Sequence, residues 1–290
     1  MHPRSSQEVS AMLVALAAYP DEITLFVYGD VPSAPYVEMT IHALSDFGVH
    51  VARTRMRHNE AFTVRGPLRA PAKPIAIEPD ASSAAVVLAA ACLSDGEVLV
   101  PGLHASSRQG DVRAIEHLSR FGCRARSERE GLSASGVPMH GAEIDLSGEP
   151  DLAPVMAAVA ASVALRAARG EADASGGEGA SRLTGLDTLP GKESSRIEVL
   201  GAGLRAIGLS VETDARSIKV APGDRESAKA SDELVLDPHG DHRMAFAFAL
   251  LGLARPGVRV RDAGCVSKSW PRFWTDVEKL GARVVRSERR

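Results

Sequence analysis

Aromatic side chains are scarce in this sequence: seven Phe, three Tyr and two Trp make up 4% of 290 residues. A core short of rings has to be filled by small aliphatic side chains between closely spaced layers, and the abundance of Ala, Val, Leu and Gly favours an α/β protein. Cysteine is rarer still. Cys92, Cys123 and Cys265 show neither metal-ligand spacing nor the density of a disulfide scaffold, which fits a reducing cytosol. No uninterrupted apolar run approaches the roughly 20 residues of a membrane helix. The opening residues MHPRSSQ carry no apolar signal core, so a soluble cytoplasmic chain without a leader is expected. A basic surplus is missing as well. With 34 Lys and Arg against 37 Asp and Glu, the net charge of −3 argues against bulk nucleic-acid binding and confines any anion site to a local cluster.

What is present is a repeat. Four stretches, starting near residues 40, 113, 197 and 273, each read as an amphipathic helix closed by Gly, then two short β-like runs around a polar turn. The closing glycines, Gly48, Gly122, Gly208 and Gly281, recur every 73 to 86 residues and suit left-handed C-caps. Upstream of each stretch lies an Ala-rich helical run, beginning near Ser5, Ser82, Asp151 and His242, apolar nearly all round and therefore expected to be buried. Three are followed by a β-like segment such as ITLFVYG, GEVLVPG or VRVRDAG. The unit is thus β-α-β-α-β-β, with sheets wrapped around a helical core. Alternation at Val49, Val51, Phe62 and Val64, and at Leu209, Val211, Ile218 and Val220, predicts two half-buried hairpins. A Pro-rich passage after Pro67 suits a domain crossover, placing the boundary near residue 75, with one repeat unit in 1–75 and three in 76–290. Residues 170–182 are rich in Gly and Ser and read as a surface loop.

The chemically versatile residues fall at expected helix starts: Ser5, Ser6 and Gln7; Ser33 to Tyr36; Asp151; Lys192 to Arg196; Asp241 to Met244; and Ser267 to Pro271. A helix N-terminus presents unsatisfied N–H groups and partial positive charge, so several such starts aimed at one cleft would hold phosphates and carboxylates. Five cations lie among them if His242 is counted as protonated. Each also has a plainer explanation. Ser5, Ser33, Asp151 and Ser267 are N-cap residue types. Lys192 to Arg196 reads equally as a solvated first turn, although cations there oppose the helix dipole unless an anion is near. Asp241-His242-Arg243 abutting an apolar helix would be costly to bury unless paired. His239, Met244 and Trp270 read as packing or positioning residues, and Cys265 as a small buried residue rather than a nucleophile.

Residues 191–196 (GKESSR), 240–253 (GDHRMAFAFALLGL) and 266–274 (VSKSWPRFW) resemble, in order, three signature motifs of the 5-enolpyruvylshikimate-3-phosphate synthase family. Ser5-Ser6-Gln7, Ser33-Ala34-Pro35-Tyr36, Asp80 to Ala84 and Gln109-Gly110-Asp111 are similar too, so the likeness runs over essentially the whole chain. It implies an inside-out α/β barrel of β-α-β-α-β-β units, one domain incomplete, with the active site between domains. It implies transfer of the enolpyruvyl group from phosphoenolpyruvate to the 5-hydroxyl of 3-phosphoshikimate, in the shikimate pathway, without metal or organic cofactor. Asp151 and Glu193 would manage protons. Ser5, Ser6, Gln7, Ser33, Tyr36, Asp151 and Lys192 would bind 3-phosphoshikimate, and Arg196, His242, Arg243 and Lys268 phosphoenolpyruvate. Partners would be these small molecules only, with neither nucleic acid nor membrane, and a monomer at full length.

The Ser-Ser-Gln motif lies deep within family chains but follows four residues here, so this chain is expected to lack a region supplying further substrate contacts and to be inactive or weak alone. Ser195 stands where the family usually has Asp, and Leu189-Pro190-Gly191 also departs from its pattern. Two alternatives are a non-catalytic remnant that binds phosphorylated ligands, and the related UDP-N-acetylglucosamine enolpyruvyl transferase. The Lys-Glu-Ser and Asp-His-Arg-Met strings speak against the latter.

Overall fold

A computed structural model describes all residues except 32, 172–178, 225, 227–231 and 287–290. Most of the expected Gly-rich loop therefore lies outside the described residues. The chain opens with α1 (Ser6–Leu16), β1 (Glu22–Tyr28), α2 (Pro35–Asp46), β2 (His50–Met56) and β3 (Asn59–Arg65). The same order returns as α3 (Ala81–Leu93), β4 (Glu97–Pro101), α4 (Ala114–Arg120), β5 (Arg124–Ser127) and β6 (Gly131–Ser135). It returns once more, with a leading strand, as β7 (Glu143–Asp145), α5 (Ala153–Arg169), β8 (Ser181–Thr184), α6 (Arg196–Ala206), β9 (Ser210–Thr213) and β10 (Ile218–Ala221). Then come β11 (Leu234–Leu236), α7 (His242–Ala254), β12 (Val258–Val260) and α8 (Phe273–Lys279).

The repeat is visible in sheet order. β1-β3-β2, β4-β6-β5 and β8-β10-β9 all place the last strand of the unit in the middle, antiparallel to both neighbours. Both expected hairpins form in register: Val51 faces Val64 and Val211 faces Val220. The four closing glycines have φ of +77°, +94°, +89° and +102°, a backbone region in which a Cβ is strained, so Gly is the residue that lets each helix turn back into its hairpin. Two features differ. Residues 282–286, after Gly281, form no strand, so the fourth hairpin is absent among the described residues. The last helix starts at Phe273 as the repeat implies, but Ser267 does not open it: Ser267 lies in the 3-10 turn Ala263–Lys268, and Pro271 interrupts the backbone ladder between the two.

Helices lie inside and sheets outside. α5 packs against α7 and α3, and every residue of 153–165 is buried. Alanine at six of these thirteen positions lets the helices approach closely, which is where the shortage of aromatic bulk is used. With its preceding turn, α5 is long and apolar enough to span a bilayer, contrary to the hydropathy reading, but its apolar surface is taken up by the protein core. α1 also departs from expectation: Val9 and Leu13 are buried, whereas Met12 and Val14 face outward, because α1 is covered on one side only by α2, β1 and β3. Two apolar cores result, one drawn from residues 9–64 and one from 81–273.

This burial pattern is testable by chemical denaturation. Leu88→Ala, in the middle of α3, is expected to cost about 2–5 kcal/mol. Met12→Ala on the open face of α1 is expected to change stability by less than about 0.5 kcal/mol.

Candidate active site

The starts of α3, α5, α6 and α7 meet at one end of the larger core, and one side chain fastens three of them. Arg196, the first residue of α6, is 1% exposed. Its Nε and Nη2 donate to Asp241 at 2.7 and 3.4 Å, Nη1 donates to Asp151 at 2.8 Å, and Nη2 donates to Glu193 at 2.8 Å. A buried guanidinium is tolerable only with its donors occupied, and carboxylates meet that need by charge and fork geometry. Asp241, wholly buried, also caps α7 by accepting from the Arg243 amide at 2.9 Å and takes a hydrogen bond from Ser194 Oγ at 3.1 Å. The costly charged triplet before α7 is therefore paired.

Asp151 lies in the 3-10 turn Pro150–Leu152 that leads into α5, not at a capping position. Besides Arg196 it faces Arg243 Nη2 at 3.2 Å and Lys192 Nζ at 3.5 Å. The turn is anchored from behind, where buried Glu149 accepts from Arg113 at 2.9 Å and contacts His117 Nε2 at 2.7 Å. Burial raises the Asp151 carboxyl, but Arg243, Lys192 and Arg196 outweigh it and hold the group below the ordinary carboxylate range. Glu193 behaves alike: burial opposes ionisation, yet the 2.6 Å hydrogen bond from Lys268 Nζ and the nearby Arg196 bring its carboxyl down to about 2. His242 differs from expectation. Burial first, and then Arg243, lower its imidazole from the ordinary value of 6.5, so at neutral pH it is uncharged and the fixed cations number four. Its Nδ1 is buried with no hydrogen-bond partner among the described residues. A small cavity opens between Ser82, Asp151, His242, Arg243, Phe246 and Ser269.

The starts of α1 and α2 lie side by side, since Thr40 Oγ1 donates to Ser10 Oγ at 2.7 Å within the second turn of each helix. Ser5 occupies the N-cap position of α1 yet makes no side-chain capping bond, and Ser6 is buried behind it. Gln7 is exposed, and Ser33 has a left-handed backbone ahead of α2 rather than its cap. No hydrogen bond joins Ser5, Ser6, Gln7 or Ser33 to the cationic cluster among the described contacts. Tyr36 does reach across, its hydroxyl donating to Asp111 at 3.4 Å. Of the residues read as packing, Met244 is buried and Trp270 packs on Phe246 and Phe273, whereas His239 is exposed in a turn. Asp241 and Asp111 carry connections that sequence reasoning assigned no separate role. An Asp immediately before an apolar helix is a legible cap signal for Asp241; Asp111 has no local signal of that kind.

In solved structures, an EPSP synthase from Acinetobacter baumannii matches 96% of this chain and 62% of its own with a TM-score of 0.65 at 20% identity. The enolpyruvyl transferase NikO from Streptomyces tendae matches 92% of this chain and 57% of its own with a TM-score of 0.63 at 19% identity. The fold is therefore that of the enolpyruvyl transferases. Residues 2–277 match the profile of EPSP synthase (3-phosphoshikimate 1-carboxyvinyltransferase), and the chain belongs to that family. The 3-phosphoshikimate 1-carboxyvinyltransferase of Methanosphaerula palustris is 35% identical over 271 residues, 93% of this chain and 58% of the relative. That of Ralstonia pickettii is 34% identical over 279 residues, 93% of this chain and 60% of the relative. The chain thus spans about three fifths of the length of the curated relatives it matches.

Removal of Asp241 should show how strongly the cluster depends on pairing. Asp241→Ala leaves the Arg196 guanidinium buried with fewer partners, and urea denaturation is expected to show a loss of about 3–5 kcal/mol. The pH dependence has a definite sign. Glu193, depressed in the folded chain, contributes stability that is present above its ordinary value of 4.5 and is lost as pH falls toward about 2. Acid titration of Glu193→Gln is expected to lack that part of the decline.

Proposed function

We propose that this cluster binds phosphoenolpyruvate beside 3-phosphoshikimate and transfers the enolpyruvyl group to the 5-hydroxyl, releasing phosphate. The observation carrying this reading is that two ionised carboxylates, Asp151 and Glu193, are each held by side chains suited to an anionic donor: Arg196 and Arg243 on one, Arg196 and Lys268 on the other. Phosphoenolpyruvate brings a carboxylate and a phosphate. Arg243 and Lys268 would meet these anionic groups, Arg196 forms the floor, and neutral His242 offers a ring N–H to the phosphate. Ser5, Ser6, Gln7, Ser33, Tyr36 and Lys192 would hold 3-phosphoshikimate, the unused Ser5 hydroxyl at a helix start suiting its phosphate. We assign these two half-sites to two domains meeting near residue 75, a division supported by the separate cores.

In the reaction, Asp151 takes the proton of the 5-hydroxyl as its oxygen bonds to the substituted alkene carbon, while Glu193 delivers a proton to the methylene. The tetrahedral ketal then collapses: the carbon–oxygen bond to phosphate breaks as Asp151 returns its proton to the departing phosphate oxygen, and Glu193 takes a proton back from the methyl group. In the unliganded chain Glu193 is ionised. A donor occupying Arg196 and Lys268 shares the charges that hold it down, and burial then favours the protonated acid the first step needs. The setting is the cytoplasm, as a monomer, within the shikimate pathway to chorismate and the aromatic amino acids.

Calorimetry on the 290-residue chain tests the reading. Saturable binding of 3-phosphoshikimate and phosphoenolpyruvate is expected, with phosphoenolpyruvate affinity falling at least tenfold in Arg243→Ala, equivalent to about 1.4 kcal/mol. A folded chain that binds neither compound would overturn it. Phosphate release on mixing the chain with both compounds separates a catalyst from a site that only binds.

A further inference from the structure

Asp111 is a buried carboxyl that the reaction does not use. It is 3% exposed and sits in the 3-10 turn Gly110–Arg113, whose Val112 belongs to the larger core. From the smaller core, Tyr36 at the start of α2 donates its hydroxyl to Asp111 Oδ1 at 3.4 Å. From the larger, Ser82 in the first turn of α3 donates to Asp111 Oδ2. Arg243 Nη2 in turn donates to Ser82 Oγ at 3.3 Å while facing Asp151 Oδ2 at 3.2 Å. The turn that holds Asp111 is itself tied to the turn that holds Asp151, through the ion pair of Arg113 and Glu149. One carboxylate thus stands between a residue assigned to 3-phosphoshikimate and a residue assigned to phosphoenolpyruvate.

We propose that Asp111 is a positioning residue: it holds Tyr36 and, through Ser82, Arg243 in one chain of hydrogen bonds, so that occupation of either half-site orders the other. This rests on the two-substrate reading above. The charged and titratable groups facing Asp111 are Tyr36 from α2, Asp80 from the α3 cap, Asp151 from the turn before α5, and Arg243 from α7. Burial pushes its carboxyl up to about 6, against the Ser82 hydrogen bond and the Arg243 charge, with Asp151 and Asp80 adding to the rise. Burial, together with Asp111 and Asp151, also raises Tyr36, which therefore remains a neutral donor. Only the ionised carboxylate accepts from both hydroxyls on both oxygens without a proton of its own, so the link weakens as pH falls through about 6.

A role in positioning and a role in stability predict opposite results here. A carboxyl whose value is raised on folding destabilises the folded chain when ionised, a cost fully present above about 6 that shrinks as pH falls from there toward the ordinary value of 3.8. Asp111→Asn should therefore melt no lower than the parent chain at pH 8. The positioning role is read from phosphoenolpyruvate titrations with and without saturating 3-phosphoshikimate. In the parent chain the second ligand is expected to tighten the first by about 5- to 150-fold at pH 8, and by less at pH 5. In Asp111→Asn that ratio is expected to fall to about twofold or less and to become independent of pH, with Ser82→Ala lowering it in the same direction. A parent chain that binds both ligands while Asp111→Asn keeps the full ratio overturns this inference and leaves the two-substrate reading standing. So does a parent chain that binds both with no mutual effect. A folded parent chain that binds neither overturns both.

Discussion

The Arg196 guanidinium, shut away from water at the start of α6, is the constraint around which the larger core is organised. A buried cation cannot be left half paired, so Asp241 from the α7 start and Asp151 from the turn before α5 must come to it, and Glu193 must fold back over it. Those carboxylates in turn place the neighbouring cations. Asp241 caps the helix on which Arg243 and His242 stand, and Asp151 draws Arg243 and Lys192 inward. The polar site and the apolar core are thus one construction. The alanine-rich faces of α3, α5 and α7 bring the helices close, and the ion cluster at their shared end fixes their rotation and depth.

Repetition explains why the helix starts share an end at all. A unit in which helix, strand, helix and hairpin follow in fixed order gives each copy the same direction relative to its sheet, so copies packed helix to helix present like ends together. Four such ends within one core concentrate partial positive charge, to which Lys192, Arg196, Arg243 and Lys268 add whole charges. Cations beside helix starts are unfavourable unless anions intervene. In the unliganded chain the protein's own carboxylates intervene, and an anionic ligand would compete for the same partners.

Much of this was legible in the sequence because it is local. Gly48, Gly122, Gly208 and Gly281 announce a backbone that turns left-handed at a helix end, and Val211 with Val220 announces a hairpin with one buried face. The signature strings around Lys192, Asp241 and Lys268 mark three segments of the cluster. What was not legible depends on neighbours distant in sequence. His242 reads as a cation until Arg243 and burial are set against it. α1 reads as buried all round, but the elements packed on it cover one side. Nothing around Asp111 forecasts that its carboxyl meets Tyr36, 75 residues away, and Ser82, 29 residues away. Pro271 was a local signal, and its effect on the start of α8 follows from the missing N–H and the ring's clash with the preceding turn.

The way charge is stored in the unliganded site bears on how it would act. Asp151 and Glu193 both sit below their ordinary values although both are partly buried, which means that attraction to Arg196, Arg243, Lys192 and Lys268 exceeds desolvation in each case. The balance is fragile for a definite reason: the attractive part is shared with any anion that enters, whereas the burial part grows when a ligand excludes water. An anion that occupies those cations would therefore move both carboxyls toward higher values. A site built from carboxylates clamped by cations is in this sense held ionised without ligand, and under the proposed function the same pairs that stabilise the fold would supply its acid and base.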